Sequence, residues 1–307
     1  MRPSQAPGWL VLGLVPALVV FALVALPRGA AAFVCSRVTD SQGKETGPSL
    51  SWRTRGITYT LFEGGTNDIP GDEEFAVLRT SFSAWEEVRE CDLPFVQSDI
   101  HFMENPVRSK VDRIGYDFVN PSANENLMIF RDASWPIPGQ QKTVIALTTT
   151  TYKPVTGEII DADIEFNTAT FNFVVDAAVQ PSGTDLGNAA THEIGHLLGL
   201  GHVLDNPDST MAPTAQTGET SKRVLHCDDK QGLVFKYPSG AANGYCNPPV
   251  ASCGYCAPPG ALTARPTVTV VDTHDDPGGC AAVPGATGLG FVGVGFALGL
   301  ARRRRRG

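Results

Sequence analysis

Apolar and polar residues alternate most clearly in two places. GITYTLF, residues 56–62, and EIIDADIEF, Glu158–Phe166, both read as half-buried strands, the second following a Thr-Gly turn. Between them Phe75, Leu78, Phe82 and Trp85 recur at helical spacing, which predicts a helix over Glu74–Glu90 with Asp72 as its N-cap. Shorter strands are expected at Ser98–Met103, Asn126–Phe130 and Thr143–Thr148. A second helix is expected over Asp185–Leu200, and a third over Asp228–Lys236 that ends before Pro238. Strands first, with helices around them, predict one α+β domain over residues 33–240, with no internal repeat.

The two ends have a different texture. Arg2, the apolar stretch Trp9–Leu26 and the small residues Gly29–Ala32 read as a signal peptide over residues 1–32, cut before Phe33. An uncleaved anchor is the alternative. Residues 241–279 are rich in Pro, Gly and Cys and lose all apolar periodicity, as a linker does. Residues 281–300 carry no charge and are about long enough to cross a bilayer. Arg302–Arg306 follow, and such a cluster stays on the cytoplasmic side. The uncharged run is Gly-rich and holds Pro284, so it makes a weak helix. Gly-Gly-Cys, a Gly/Ala-rich span and an Arg cluster together resemble the C-terminal sorting signal of myxobacterial surface proteins. That resemblance makes Cys280 the residue at which residues 280–307 would be processed. A plain C-terminal membrane helix is the other reading. Under both, the body of the chain is exported and the partner of its tail is a membrane or cell surface.

Composition narrows the class further. A net charge of −8, with no basic run in the body, argues against nucleic acid as a partner. Export permits disulfides among Cys35, Cys91, Cys227, Cys246, Cys253 and Cys256. Cys246, Cys253 and Cys256 lie in the linker, where a small disulfide knot is the reading for the CxxC.

Three of the six histidines fall within THEIGHLLGLGH, Thr191–His202. His192 and His196 are four apart, so on a helix they share a face and can hold one ion. Gly199 lets the helix stop and turn, which brings His202 round as a third ligand. Three neutral imidazoles suit Zn²⁺ and leave a fourth position for water, and Glu193 stands beside them as a general base. Met211, in DSTMAP, follows at the spacing of a Met-turn.

HEIGHLLGLGH followed by STMAP resembles the metzincin zinc proteases, and within them the matrixins, including their bacterial members. SFSAWEEV, SDIHF, TGEIIDADIEFN and DDKQGLVFKYP resemble further matrixin segments, so the likeness covers residues 50–238. It implies a mixed twisted sheet with an active-site helix and a C-terminal helix. It also implies zinc on His192, His196 and His202, catalysis by Glu193 and a floor formed by Met211. The implied partners are peptide and protein substrates, extended along an edge strand at Ile159–Phe166. No cysteine-switch motif is present, which leaves Cys35 with two readings, a zinc thiolate or a disulfide.

Asp161, Asp163 and Glu165 alternate on one face of a strand. They are either calcium ligands or a solvated polar edge. His101 and His226 read as ordinary polar residues, His274 lies in the linker, and Ala212–Thr220 would form the specificity loop. The competing functional reading is a catalytically silent surface or adhesion module that keeps the fold.

Overall fold

In the computed structural model the described residues are 33–86, 88–89, 97–136 and 142–240, with two short strands at Thr269–Val270 and Ala281–Ala282. The signal peptide, Cys91, the linker cysteines, His274, Cys280 and the Arg cluster lie outside them. No helix among the described residues is long and apolar enough to cross a membrane.

Among the described residues the central sheet has seven strands, two of them the short pieces Ser51–Trp52 and Thr269–Val270; the five longer ones are β1 (Gly56–Leu61), β2 (His101–Glu104), β3 (Leu127–Phe130), β4 (Ala146–Lys153) and β5 (Glu158–Phe166). Their order is β2-β1-β3-β5-β4. The first four in that order run parallel, and β4 is antiparallel to β5, with Thr148 opposite Ile164. Helices α1 (Glu73–Ser83), α2 (Leu186–Leu197) and α3 (Cys227–Lys236) complete the domain.

The expected elements appear, with displaced ends. Helix α1 stops at Ser83 rather than Glu90. Its last turn tightens as Trp85 N donates to Phe82 O at 3.0 Å. The fully buried Trp85 then reaches α2, its Nε1 donating to Thr191 O at 2.9 Å. Asp72 flanks α1 without capping it, because its carboxylate pairs with Arg108 at 2.9 Å. The strand expected at Thr143–Thr148 starts at Ala146 and runs to Lys153. The strand expected from Ser98 starts only at His101, while Ser98 bridges Pro238.

One assignment needs correction. Glu158–Phe166 is not an edge strand. β3 pairs with it over Ile164–Phe166, Ser51–Trp52 pair with Glu158–Ile159, and β4 covers its other side. With strands paired on both of its sides, β5 lies inside the sheet and is not its edge. Of the five longer strands β4 is the outermost, and on its far side Thr269–Val270 pair with Thr151–Tyr152. A Thr run has no apolar alternation to reveal it.

The carboxylates of β5 are buried, so they are not a solvated edge. Asp161, Asp163 and Glu165 are 2%, 1% and 4% exposed. Glu165 pairs with Arg131 at 2.6 Å, and Asp163 accepts from the backbone N–H groups of Gly115 and Leu127 at 2.6 and 2.8 Å. Asp161 Oδ2 has no hydrogen-bond partner. Burial, then the neighbouring Asp163 charge, raises the Asp161 pKa; burial above all raises that of Asp163. A carboxyl whose folded pKa is raised stabilises the fold at low pH and loses that contribution as pH rises through the folded value. Thermal melts should therefore show Asp161→Asn gaining stability over the parent toward pH 8, by on the order of 1–2 kcal/mol, with the gap closing near pH 4. A gap that does not change with pH would contradict this.

Candidate metal centre

Helix α2 is buried along its whole length, and its start and end are tied down separately. At the start, Asp185 caps it by accepting from Asn188 N at 2.8 Å. Arg223 Nε holds the same Asp185 oxygen at 2.7 Å, and Ala177 N donates to the other at 2.9 Å. Leu186, Ala189, Ala190, Ile194 and Leu197 give it an apolar face at helical spacing. At the end, Trp52 Nε1 donates to Leu197 O at 2.8 Å and Tyr237 Oη to Leu198 O at 2.8 Å. These bonds satisfy carbonyls that the helix itself leaves open.

Gly199 follows with φ +80°, the left-handed conformation expected of it. A β-carbon there would collide with Leu50 O, so the position excludes side chains twice over. The chain reverses and brings His202 against the helix. There Val203 N donates to Met211 O at 2.9 Å, joining His202 to the Met-turn.

His192 Nε2 and His196 Nε2 stand 3.1 Å apart, and His202 Nε2 is 3.2 Å from His196 Nε2 and 3.3 Å from His192 Nε2. Two of the rings have a fixed tautomer. His192 Nδ1 lies 2.6 Å from Thr210 O and His196 Nδ1 2.7 Å from Leu200 O. A carbonyl can only accept, so each Nδ1 carries the proton and each Nε2 presents a lone pair. Burial pushes all three imidazole pKa values down, that of His196 to about 4, which keeps the rings neutral. Ligand nitrogens about 2.0–2.1 Å from a tetrahedral zinc ion would stand about 3.3 Å from one another. The donor set fits zinc in chemistry and in spacing. Among the described residues it is the only such group of His, Cys, Asp or Glu. Asp161, Asp163 and Glu165 do not converge in this way, so the calcium expectation gains no support from their geometry.

Glu193 is fully buried, and Thr148 Oγ1 lies 2.7 Å from its Oε2. Met211 is 1% exposed beneath α2, as the sequence pattern implied. Its Sδ occupies the place a β-carbon on Gly195 would need. The sequence held a hint of this, since a mid-helix Gly costs about 1 kcal/mol relative to Ala and needs a packing reason.

Asp229 was not foreseen. Its Oδ1 accepts from Ser209 Oγ at 2.8 Å and Met211 N at 3.3 Å, and its Oδ2 from Thr210 N at 2.9 Å and His226 N at 2.8 Å. It thereby fixes the turn whose Thr210 carbonyl orients His192. Its pKa is raised, by burial first and the Asp228 charge second, while the hydrogen bonds pull the other way. His226 is the N-cap residue of α3, paired with Asp228 at 2.5 Å, and His101 is exposed. Both are away from the triad. Just beyond residues 212–220 the buried Lys222 Nζ donates to Thr214 O at 2.8 Å and pairs with Glu219, so it braces that loop from its C-terminal side.

Comparison with known proteins agrees with this geometry. Over 200 residues the chain is 34% identical to matrix metalloproteinase-25 of Homo sapiens, covering 64% of this chain and 31% of that protein. It is 44% identical over 69 residues to metalloendoproteinase 2-MMP of Arabidopsis thaliana, covering 22% of this chain and 18% of that protein. It is also 45% identical over 49 residues to matrilysin of Homo sapiens, covering 16% and 18%. The chain thus spans less than a third of the length of any of these relatives. The matrixin family matches residues 51–237, which hold strands β1 to β5, helices α1 to α3 and the histidine triad, and the chain belongs to that family.

Proposed function

We propose that this chain is a zinc-dependent endopeptidase that hydrolyses peptide bonds of extracellular proteins. The observation that carries the reading is the convergence of three neutral imidazole Nε2 atoms at 3.1–3.3 Å on the helix that also holds Glu193. Zinc bound there would polarise the scissile carbonyl and lower the pKa of water. The Glu193 carboxylate takes a proton from the attacking water as its oxygen bonds to the carbonyl carbon, and returns that proton to the amine nitrogen when the C–N bond breaks. The His192 and His196 rings cannot turn away, because Thr210 O and Leu200 O hold their Nδ1 protons. A peptide would lie extended along the outer edge of β4 rather than along β5.

We further infer export and tethering at the cell surface. Residues 1–32 and 280–307 support this by their sequence. Cys35 and Cys227 are both disulfide-bonded, which suits an oxidising compartment and leaves no Cys35 thiolate for zinc.

The test is hydrolysis of casein by the purified chain. Activity should be lost on 1,10-phenanthroline treatment and restored by added zinc. A zinc-loaded protein that cuts nothing in a broad peptide library would favour the silent surface module. N-terminal sequencing of the mature protein should read Phe33 first; Met1 there would overturn the cleaved signal peptide and favour the uncleaved anchor.

A further inference from the structure

We propose that Thr148 is a positioning residue for Glu193, holding the carboxylate where it can take the proton of the attacking water. The inference rests on the hydrolytic reading above and adds a residue to its machinery.

Thr148 is 1% exposed, and its Oγ1 lies 2.7 Å from Glu193 Oε2 and 3.1 Å from Glu193 O. The hydroxyl has one proton to give, and the charged carboxylate is both the nearer and the stronger acceptor. The threonine is well placed to fix anything. Its backbone is locked in the sheet opposite Ile164, and a β-branched side chain has few rotamers. Strand geometry aims it at the helix. Ala146 belongs to the main core with Ile194 and Leu197, whereas Leu147 packs in a separate cluster with Trp135 and Val144. Thr148 shares the face of Ala146, two residues away.

Glutamate reaches its carboxylate through three rotatable bonds. Burial alone does not choose among the rotamers, but a short hydrogen bond from a rigid strand does. The bond uses one lone-pair direction of one oxygen. A carboxylate offers about four in all.

The test compares Thr148→Val, which keeps the shape and loses the donor, with Thr148→Ser, which keeps the donor. Both would be made in the full chain. Thr148→Val should bind one zinc per chain with a melting temperature close to that of the parent. Its kcat on a peptide substrate should fall about ten- to a hundredfold while KM stays within about twofold. Thr148→Ser should return kcat to within about threefold of the parent.

Crystal structures of the two variants give a readout independent of turnover. The Glu193 carboxylate should leave its rotamer in Thr148→Val and keep it in Thr148→Ser. Parental kcat in Thr148→Val, an unmoved carboxylate there, or failure of Ser to restore either property would overturn the assignment. If the parent cuts no peptide, the hydrolytic reading fails, and the two crystal structures still decide whether Thr148 positions Glu193.

Discussion

Glu193→Gln is expected to lower kcat for peptide hydrolysis about a hundred- to ten-thousandfold with zinc still bound. Glutamine is nearly isosteric, and its side-chain oxygen can accept the Thr148 hydroxyl as Oε2 does at 2.7 Å. The three imidazoles keep their carbonyl anchors and their spacing, so metal content should not change. What is lost is a group that can accept and return a proton. Steady-state kinetics with zinc quantified in the same sample check this; more than a third of parental kcat would remove Glu193 from the general-base role.

Asp229→Ala is expected to be the most damaging single change outside the triad, and it acts first on the fold. Asp229 receives hydrogen bonds from Ser209, Thr210, Met211 and His226. Ser209 and Thr210 are fully buried and Met211 nearly so, so water cannot replace the lost acceptor. An unsatisfied buried donor costs about 1–3 kcal/mol, and several together put the loss on the order of 3–5 kcal/mol. For a domain of this size that is a fall in melting temperature on the order of 10 °C. The damage should then reach the metal, because the Thr210 carbonyl that fixes the His192 tautomer sits on the loosened turn. Differential scanning calorimetry and zinc titration read the two effects. A shift of under about 3 °C with unchanged zinc affinity would mean that the turn holds itself, since about 1 kcal/mol already moves a domain of this size by 2–4 °C.

These two residues mark where reading the sequence succeeds and where it stops. His192, Glu193, His196, Gly199 and His202 lie on one helix and one turn, so spacing alone places them. β5 appeared with the expected ends, because its alternation survives burial. Asp229 acts about twenty residues from the turn it holds, and Thr148 acts 45 residues from Glu193. Neither partnership leaves any local periodicity. The mistaken edge strand has a related cause. β4 and β5 are both almost wholly buried, and a neighbour's position in a sheet is set by tertiary pairing, which no strand pattern records. Asp72 looked like a cap because it has the right residue type, and Arg108, far along the chain, claimed it instead.

The closing of the domain on the end of α2 has a consequence for where the polypeptide can be cut. Tyr237 Oη donates to Leu198 O and accepts from Trp52 N at 3.1 Å, while Lys236 Nζ reaches Leu50 O and Ser49 Oγ at 2.5 and 2.9 Å. The first and last segments of the matrixin region therefore meet at the turn that presents His202. A proteolytic nick or stop codon before Lys236 would remove no residue of the metal site. It would nevertheless unpin the carbonyls of Leu50 and Leu198 and free Gly199 to unwind. The protein's last aromatic side chain before residue 240 thus acts as the latch of a site whose ligands ended 35 residues earlier.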